Sequence, residues 1–474
     1  MKKWDKIIYI FFLLLPIIDL CTSLTTKFTS VSITPGMIVK GITLIICLLY
    51  VSFFSKSKYK KETIIYLSLL IFFGVIYFLS KNYVLSIAKI ANELKYAFKY
   101  FYFPVMICGM LNMIDDYKPS KDLIIKILIS NAIIYTILMI VPYITSTSFN
   151  SYTEYWLYSG ESGWFFSANE VGAILTLLLI CVYYFINYRQ KWYIILVLPL
   201  MISIAIIGTK VSFIGLIIMT FLCLIFMLIN KKRKIIPCII VSLFLLVSLF
   251  FSPTFNNFIN LKTNTDKNIS EIDKTEDTNI DKNISETDKN EETNIDKNIS
   301  EIEQTEEIVE NNGGSNSTAN VINKLEDLIP IRFVANNLRV LLSNRDTFLI
   351  NNLNIYINSN LEDKLFGLGW NDRPELNYTI SKKMIEIDVA DIFIHYGIIG
   401  FLIYFLPLLY CFALEIKNIK YFTIETWLSF MTFMVEIGIS LFAGHVLSAP
   451  TVSIYLVLLI ALTMITIYEK KETK

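Results

Sequence analysis

The sequence has few of the residues that build metal centres and disulfide frameworks. It contains only two histidines, His395 and His445, and neither has a second ligand at a metal-binding spacing. Its seven cysteines include no CxxC pair, and each lies in or at the edge of an apolar run. We interpret the cysteines as small core hydrophobes and the histidines as structural residues. No metal site and no cofactor is predicted.

The chain also lacks an excess of charge of either sign. Its formal net charge is +1, and Lys and Arg are spread over many loops instead of forming one patch. This distribution argues against nucleic acid as a partner.

Long apolar runs dominate the chain, which is 54% hydrophobic. They have about the length that spans a bilayer, near 20 residues. The sequence therefore predicts an all-α polytopic membrane protein with about twelve transmembrane helices. The first run follows Met1 closely, and no cleavage signature follows it, so we interpret it as a retained span. The predicted spans lie at about 7–24, 37–55, 63–80, 98–114, 123–145, 170–187, 192–208, 211–230, 235–252, 391–414, 426–445 and 449–468.

The distribution of basic residues predicts the orientation. A cluster of four occupies 231–234, whereas the loop 146–168 has no Lys or Arg. The positive-inside rule then places both termini in the cytoplasm and the long hydrophilic region 253–390 outside the cell, between spans 9 and 10. Segment 81–99 carries four lysines on the outer side and is interpreted as an amphipathic surface segment before a short span.

Four regions follow from this topology. The hydrophilic region begins with a 15-residue repeat, in which Asp-Lys-Asn-Ile-Ser-Glu starts at Asp266, Asp281 and Asp296. Between Lys262 and Glu310 there are 16 acidic residues and six lysines, a composition that predicts disorder. The predicted regions are a membrane domain 1–252 with spans 1–9, a disordered extracellular tract 253–320, an ordered helical extracellular loop 321–390, and a membrane domain 391–474 with spans 10–12.

Charges in or beside membrane spans are costly, so each is a functional candidate. The alternative for Lys40 and Lys99 is that they snorkel to the interface. Asn169 is either the N-cap of span 6 or a ligand-binding residue. The candidates of this kind are Asp19, Lys40, Lys99, Asn169, Lys210 in a tight turn between spans 7 and 8, and Glu436 inside span 11.

The loop before span 10 combines arginines with carboxylates, and these are Arg332, Arg339, Arg345, Glu386, Asp388 and Asp391. The carboxylates alone are also consistent with the charge bias of a helix N-terminus. Arginine, however, offers a planar bidentate clamp for phosphate, and a carboxylate at a partly dry surface serves as a general base. An anionic leaving group opposite an activated hydroxyl describes glycosyl transfer from a lipid pyrophosphate.

These motifs, in this order, resemble those of the O-antigen ligase and O-antigen polymerase superfamily, specifically the capsular or exopolysaccharide repeat-unit polymerases of Gram-positive bacteria. The matching pieces are Pro16-Ile17-Ile18-Asp19, Lys40-Gly41, Gly163-Trp164-Phe165, Ser167-Ala168-Asn169-Glu170, Gly208-Thr209-Lys210, Ser343-Asn344-Arg345-Asp346, Gly367-Leu368-Gly369, and Glu386 through Gly400.

The resemblance implies a metal-independent membrane glycosyltransferase that polymerises oligosaccharide units linked to undecaprenyl pyrophosphate on the outer face of the bacterial cell membrane. By this resemblance Arg345 and Lys210 would hold the pyrophosphate. From the residues themselves we predict further binding residues, which are Arg339, Arg332, Lys40, Asn169 and Asp391. A flippase and a chain-length regulator of the same pathway are the candidate protein partners.

Two positions depart from the family pattern. The ligase branch has a histidine about eleven residues before the GxxG pair, where this chain has Glu386, so the implied base is a carboxylate, Glu386 or Asp388. Lys210 stands where many relatives have arginine. The alternatives to a polymerase are a ligase that uses another acceptor and a repeat-unit flippase or transporter. A transporter is expected to show inverted repeats, and no internal similarity between halves is visible.

Overall fold

A computed structural model describes residues 3–31, 33–81, 87–152, 159–187, 191–230, 235–254, 256–257, 259, 345–373, 385–442 and 444–472. Over these residues the chain is all-α, with only an isolated bridge between Asn150 and Glu161 outside the helices and turns. The helices are α1 (Lys3–Phe28), α2 (Pro35–Leu49), α3 (Lys60–Ser80), α4 (Ile87–Tyr117), α5 (Lys121–Ile144), α6 (Ala168–Leu178), α7 (Ile180–Asn187), α8 (Val197–Ala205), α9 (Lys210–Ile229), α10 (Ile235–Phe250), α11 (Arg345–Asn358), α12 (Leu361–Phe366), α13 (Asp388–Lys417), α14 (Ile424–Ser440) and α15 (Pro450–Glu472).

Every predicted span coincides with helical structure, because a helix satisfies its own backbone hydrogen bonds in lipid. Within the described residues, nine helical segments are long and apolar enough to cross a bilayer. Two shorter apolar helices, Ile194–Ala205 and Ile235–Phe250, accompany them. The chain is therefore an all-α polytopic membrane protein, as predicted. The number of twelve spans and the orientation stay predictions.

Helix α4 is longer than the sequence indicated. Residues 87–117 form one continuous helix instead of a surface segment followed by a short span. Its first half is held in the fold by Glu93, which is fully buried and accepts a hydrogen bond from Tyr77 at 2.8 Å. Of the four lysines that suggested a surface segment, Lys81 precedes α4 and is buried, Lys95 is exposed, and Lys89 and Lys99 are partly buried.

Contacts divide the chain into two units, one of residues 1–254 with 352–474 and one of residues 255–351. In the first unit, α15 is central: its residues Val452–Ile467 are all buried, and it packs against α4, α5, α6 and α14. Six of the seven cysteines are buried in this core, as predicted, whereas Cys21 is exposed. The predicted disordered tract 253–320 and residues 321–344 of the predicted ordered loop lie almost wholly outside the described residues.

The backbone conformation is irregular at two positions near the functional region. Gly397 has φ +69 and breaks the helical conformation inside α13. Glu386, two residues before α13, has φ +58, a conformation that residues with a Cβ rarely adopt. Both lie in the stretch that the sequence singled out.

Candidate functional site

Lys40 and Asp19 form a buried ion pair. Lys40 Nζ donates to Asp19 Oδ1 at 2.8 Å and to Thr451 Oγ1 at 2.7 Å, while the Tyr135 hydroxyl donates to Asp19 Oδ2 at 2.8 Å. These contacts join α1, α2, α5 and α15. Lys40 is only 5% exposed, so it does not snorkel. We call this region, where α2, α6, α13 and α15 begin, the charged end of the bundle.

A cavity of about 140 Å³ opens beside the ion pair. Asn169 is not among its lining residues, but the adjacent Glu170 is. Ser167 occupies the N-cap of α6, so the interpretation of Asn169 as the N-cap is wrong. The sequence does mark Glu170 as a candidate, because its carboxylate lies directly before an apolar run. The lining residues are Asp19, Thr22, Ser23, Thr26, Tyr135, Phe165, Phe166, Ser167, Glu170, Val171, Ile174 and Thr451.

Lys99 connects this cavity with the first turn of α13. Its ammonium group interacts electrostatically with the carboxylates of Glu170, Asp388 and Asp391, and it lies 5.5 Å from the centre of the Tyr96 ring. Lys99 and Asp391 also line one small void. The charged end therefore holds a lysine among three carboxylates that are far apart in sequence.

Asp391 and His395 face each other one helical turn apart. His395 Nε2 lies 3.6 Å from Asp391 Oδ1, and both side chains are about 5% exposed. His395 Nδ1 lies 2.7 Å from the carbonyl oxygen of Gly369. Because a carbonyl only accepts, Nδ1 carries a proton, and in neutral His395 the lone pair of Nε2 points toward Asp391. Asp391 Oδ1 has no hydrogen-bond partner among the described residues.

His395 is the residue that sequence reasoning undervalued, since it was interpreted as a lone structural histidine. Its ring stacks on Trp370 at 3.7 Å between centroids, and Trp370 stacks on Tyr96 at 4.0 Å. The i,i+4 spacing from Asp391 was the available signal.

Asp388 holds the loop that precedes α15. Its carboxylate accepts hydrogen bonds from the backbone N–H groups of His445, Val446 and Leu447 at 2.7–3.0 Å, and from the Ser448 hydroxyl at 2.5 Å. A buried carboxylate that already accepts from four donors has little acceptor capacity left. The geometry therefore indicates a positioning role for Asp388.

The loop that carries Trp370 is fixed by buried charges. Glu93 Oε1 accepts from the Trp370 N–H at 2.6 Å and from Asn371 Nδ2 at 3.0 Å. Lys81 donates to the Gly367 carbonyl and lies 3.6 Å from Asp363 Oδ1. Burial lowers the pKa of Lys81 to about 8, against the opposing attraction of Asp363. This network holds the loop against His395.

The remaining predicted site residues fall in other places. Lys210 is the first residue of α9, directly after the N-cap Thr209 and Gly208, whose φ is +76. Arg345 is the first residue of α11 and belongs to the second unit. Arg332 and Arg339 lie outside the described residues. The structure thus brings together Lys40, Asp388 and Asp391 near Lys99 and Glu170.

A family model described as "O-antigen ligase like membrane protein" matches residues 1–470. The chain belongs to this family. No curated protein and no solved structure matches the chain. Membership of the O-antigen ligase-like proteins confirms the superfamily resemblance and is consistent with a glycosyl-transferring enzyme that uses lipid-linked oligosaccharides.

The site of this O-antigen ligase-like protein is built from carboxylates, a histidine and lysines. Among the described residues, no group of three or more His, Cys, Asp or Glu side chains is arranged to hold a metal ion. In this arrangement Asp391 can accept a proton, and the neighbouring lysines can offset negative charge.

Proposed function

We propose that the protein polymerises oligosaccharide repeat units carried on undecaprenyl pyrophosphate, at the outer face of the bacterial cell membrane, for capsular or exopolysaccharide synthesis. A hydroxyl of one lipid-linked unit attacks the anomeric carbon of the growing chain. The bond between that carbon and the pyrophosphate oxygen breaks, and the lipid pyrophosphate leaves with its electron pair. The hydroxyl proton passes to a base on the protein.

The observation that carries this proposal is the buried pair of Asp391 and His395. A carboxylate that is 3% exposed and has one oxygen without a donor among the described residues is suited to take a proton from a sugar hydroxyl. His395 lies within reach to orient or share that proton. We therefore assign the base to Asp391, with Asp388 as its positioning residue and Glu386 as the alternative base.

The leaving pyrophosphate requires positive charge. Lys210 and Arg345, with Arg332 and Arg339, are proposed to bind it, because lysine offers a compact charge and arginine a bidentate fork. Lys99 lines a small void together with Asp391 and offsets the charge that builds up around Asp391 and Glu170. A carboxylate at the position where the ligase branch has histidine, Glu386, favours a polymerase over a ligase.

The test is a reconstituted assay in liposomes with lipid-linked repeat units as the only glycan. The wild-type protein is expected to produce a ladder spaced by one repeat unit. Asp391→Asn is expected to lower kcat by about 10²-fold or more, since general base catalysis typically contributes that much. The exposed carboxylate of Glu362 in α12 gives the matched control, Glu362→Gln, which is expected to keep the wild-type rate.

Three other outcomes would change the assignment of the base or of the function. A wild-type ladder from Asp391→Asn would exclude Asp391 as the base. A single transfer that occurs only when another acceptor is added would indicate a ligase. If a deletion strain accumulates lipid-linked units on the inner membrane face, the protein is a flippase.

A further inference from the structure

The cavity beside Asp19 and Glu170 is not used by the chemistry described above. Its volume of about 140 Å³ is room for roughly ten water molecules, since one water needs about 10–15 Å³ by the same measure. That is the scale of one sugar ring with its hydroxyl groups.

The lining of the cavity has the chemistry that recognises a sugar. Carboxylates only accept hydrogen bonds, and sugar hydroxyls donate them. The hydroxyl groups of Ser23 and Ser167 can both donate and accept, whereas those of Thr22 and Thr26 already donate to backbone carbonyls and can only accept. Phe166 is 55% exposed, so it offers an aromatic face on which the C–H face of a sugar ring can pack.

Within this lining, Glu170 is the carboxylate whose hydrogen-bonding requirement the described residues do not meet. No described residue forms a hydrogen bond with its carboxylate, and it is close enough to Asp19 for the two carboxylates to repel each other. Asp19 already accepts from Lys40 and Tyr135, so Glu170 is the carboxylate in the cavity that lacks a donor among the described residues. A polyhydroxylated ligand supplies such a donor.

Other ligand classes fit less well. A phosphate would meet two carboxylates, while Lys40 already donates to Asp19 and Thr451. A metal cation would find Asp19 neutralised by Lys40. A lipid tail would cover the Glu170 carboxylate without offering it a hydrogen bond, which is unfavourable.

We propose that this cavity is the acceptor subsite, which binds the sugar that carries the attacking hydroxyl. The inference rests on the proposed glycosyl transfer and names the substrate part that the site receives. Lys99 lines the small void together with Asp391 and also interacts electrostatically with Glu170, so it links the cavity lining with the assigned base. An acceptor held by Glu170 and Phe166 would present a neighbouring hydroxyl toward Asp391.

The test uses an acceptor that cannot act as a donor, namely the methyl glycoside of the repeat-unit oligosaccharide. Its transfer kinetics are measured in liposomes with lipid-linked units as donor. Glu170→Gln and Phe166→Ala are each expected to raise the KM for the methyl glycoside by about tenfold, because the first weakens a charge-assisted hydrogen bond and the second removes the ring on which the sugar packs. The kcat and the KM for the donor are expected to stay within about twofold.

Two substitutions outside the cavity serve as controls. Glu362→Gln removes an exposed carboxylate, and Phe53→Ala removes an exposed ring beyond the C-terminal end of α2. Both are expected to keep the wild-type KM for the methyl glycoside. An unchanged acceptor KM in Glu170→Gln and Phe166→Ala, or a rise in the donor KM instead, would overturn the assignment.

A second measurement separates this inference from the proposed function. If the wild-type protein transfers nothing, glycosyl transfer is refuted, and binding of the same methyl glycoside is measured by saturation-transfer NMR. Binding that is present in the wild type and lost in Glu170→Gln supports a sugar site in the cavity. No binding to the wild type, or equal binding to both, rejects it.

Discussion

The ammonium group of Lys40 lies 2.8 Å from Oδ1 of Asp19, and both side chains are about 6% exposed. The residues are 21 positions apart, on α1 and α2, and each also bonds to a third helix through Tyr135 or Thr451. Burying either charge alone would be costly, so each residue requires the other. The pair therefore fixes the wall of the proposed acceptor cavity.

We expect Lys40→Met and Asp19→Leu each to lower stability by about 3–5 kcal/mol, because each leaves an unpaired buried charge. The double variant is expected to be more stable than either single variant, since it removes both charges at similar volume. Thermal unfolding in detergent micelles gives the ranking. Lys61→Met, at an exposed position of α3, is the control for the loss of one lysine. Additive losses in the double variant would show that the two charges are not coupled.

The helices were predictable because each long apolar run leaves a helix as the only stable form in lipid. The sequence also identified Asp19 and Lys40 individually, because a charge inside a span is costly. It did not predict that they pair, because the pairing depends on how α1 packs against α2. The same limit applies to Lys99 and Glu170, which come together only through the packing of α4 and α6.

The stack of Trp370 on His395 shows a different limit. It depends on the break at Gly397 and on backbone bonds from the 367–369 loop to α13, such as Leu368 N–H to the Ile394 carbonyl at 2.9 Å. The GxxG pattern marks glycines but does not say which one leaves the helical conformation. A lone histidine in an apolar run therefore looked structural.

Gly397 offers a test of that break. A Cβ at this position would lie 2.5 Å from backbone atoms of Gly367 and Leu365, and φ is +69, so Gly397→Ala adds both a clash and backbone strain. We expect a loss of at least about 1–3 kcal/mol together with a loss of activity. Gly438→Ala in α14 is the matched control, since nothing lies within 4 Å of its added Cβ. It is expected to be neutral or to stabilise by up to about 1 kcal/mol. Equal effects of the two substitutions would contradict the role assigned to the break.

Lys81 makes stability depend on pH. Burial lowers its pKa from 10.5 to about 8 in the folded protein. Between these values the unfolded chain binds more protons, so folding becomes more favourable as pH rises from about 8 to 10.5, and this gain is lost progressively as pH falls from 10.5 to 8. The difference corresponds to about 3 kcal/mol. We therefore expect the stability of the wild type relative to Lys81→Met, measured by thermal unfolding, to be greater at pH 9.5 than at pH 7.5. Other titrating groups cancel in this comparison, so a constant difference at both pH values would show that Lys81 keeps its ordinary pKa in the fold.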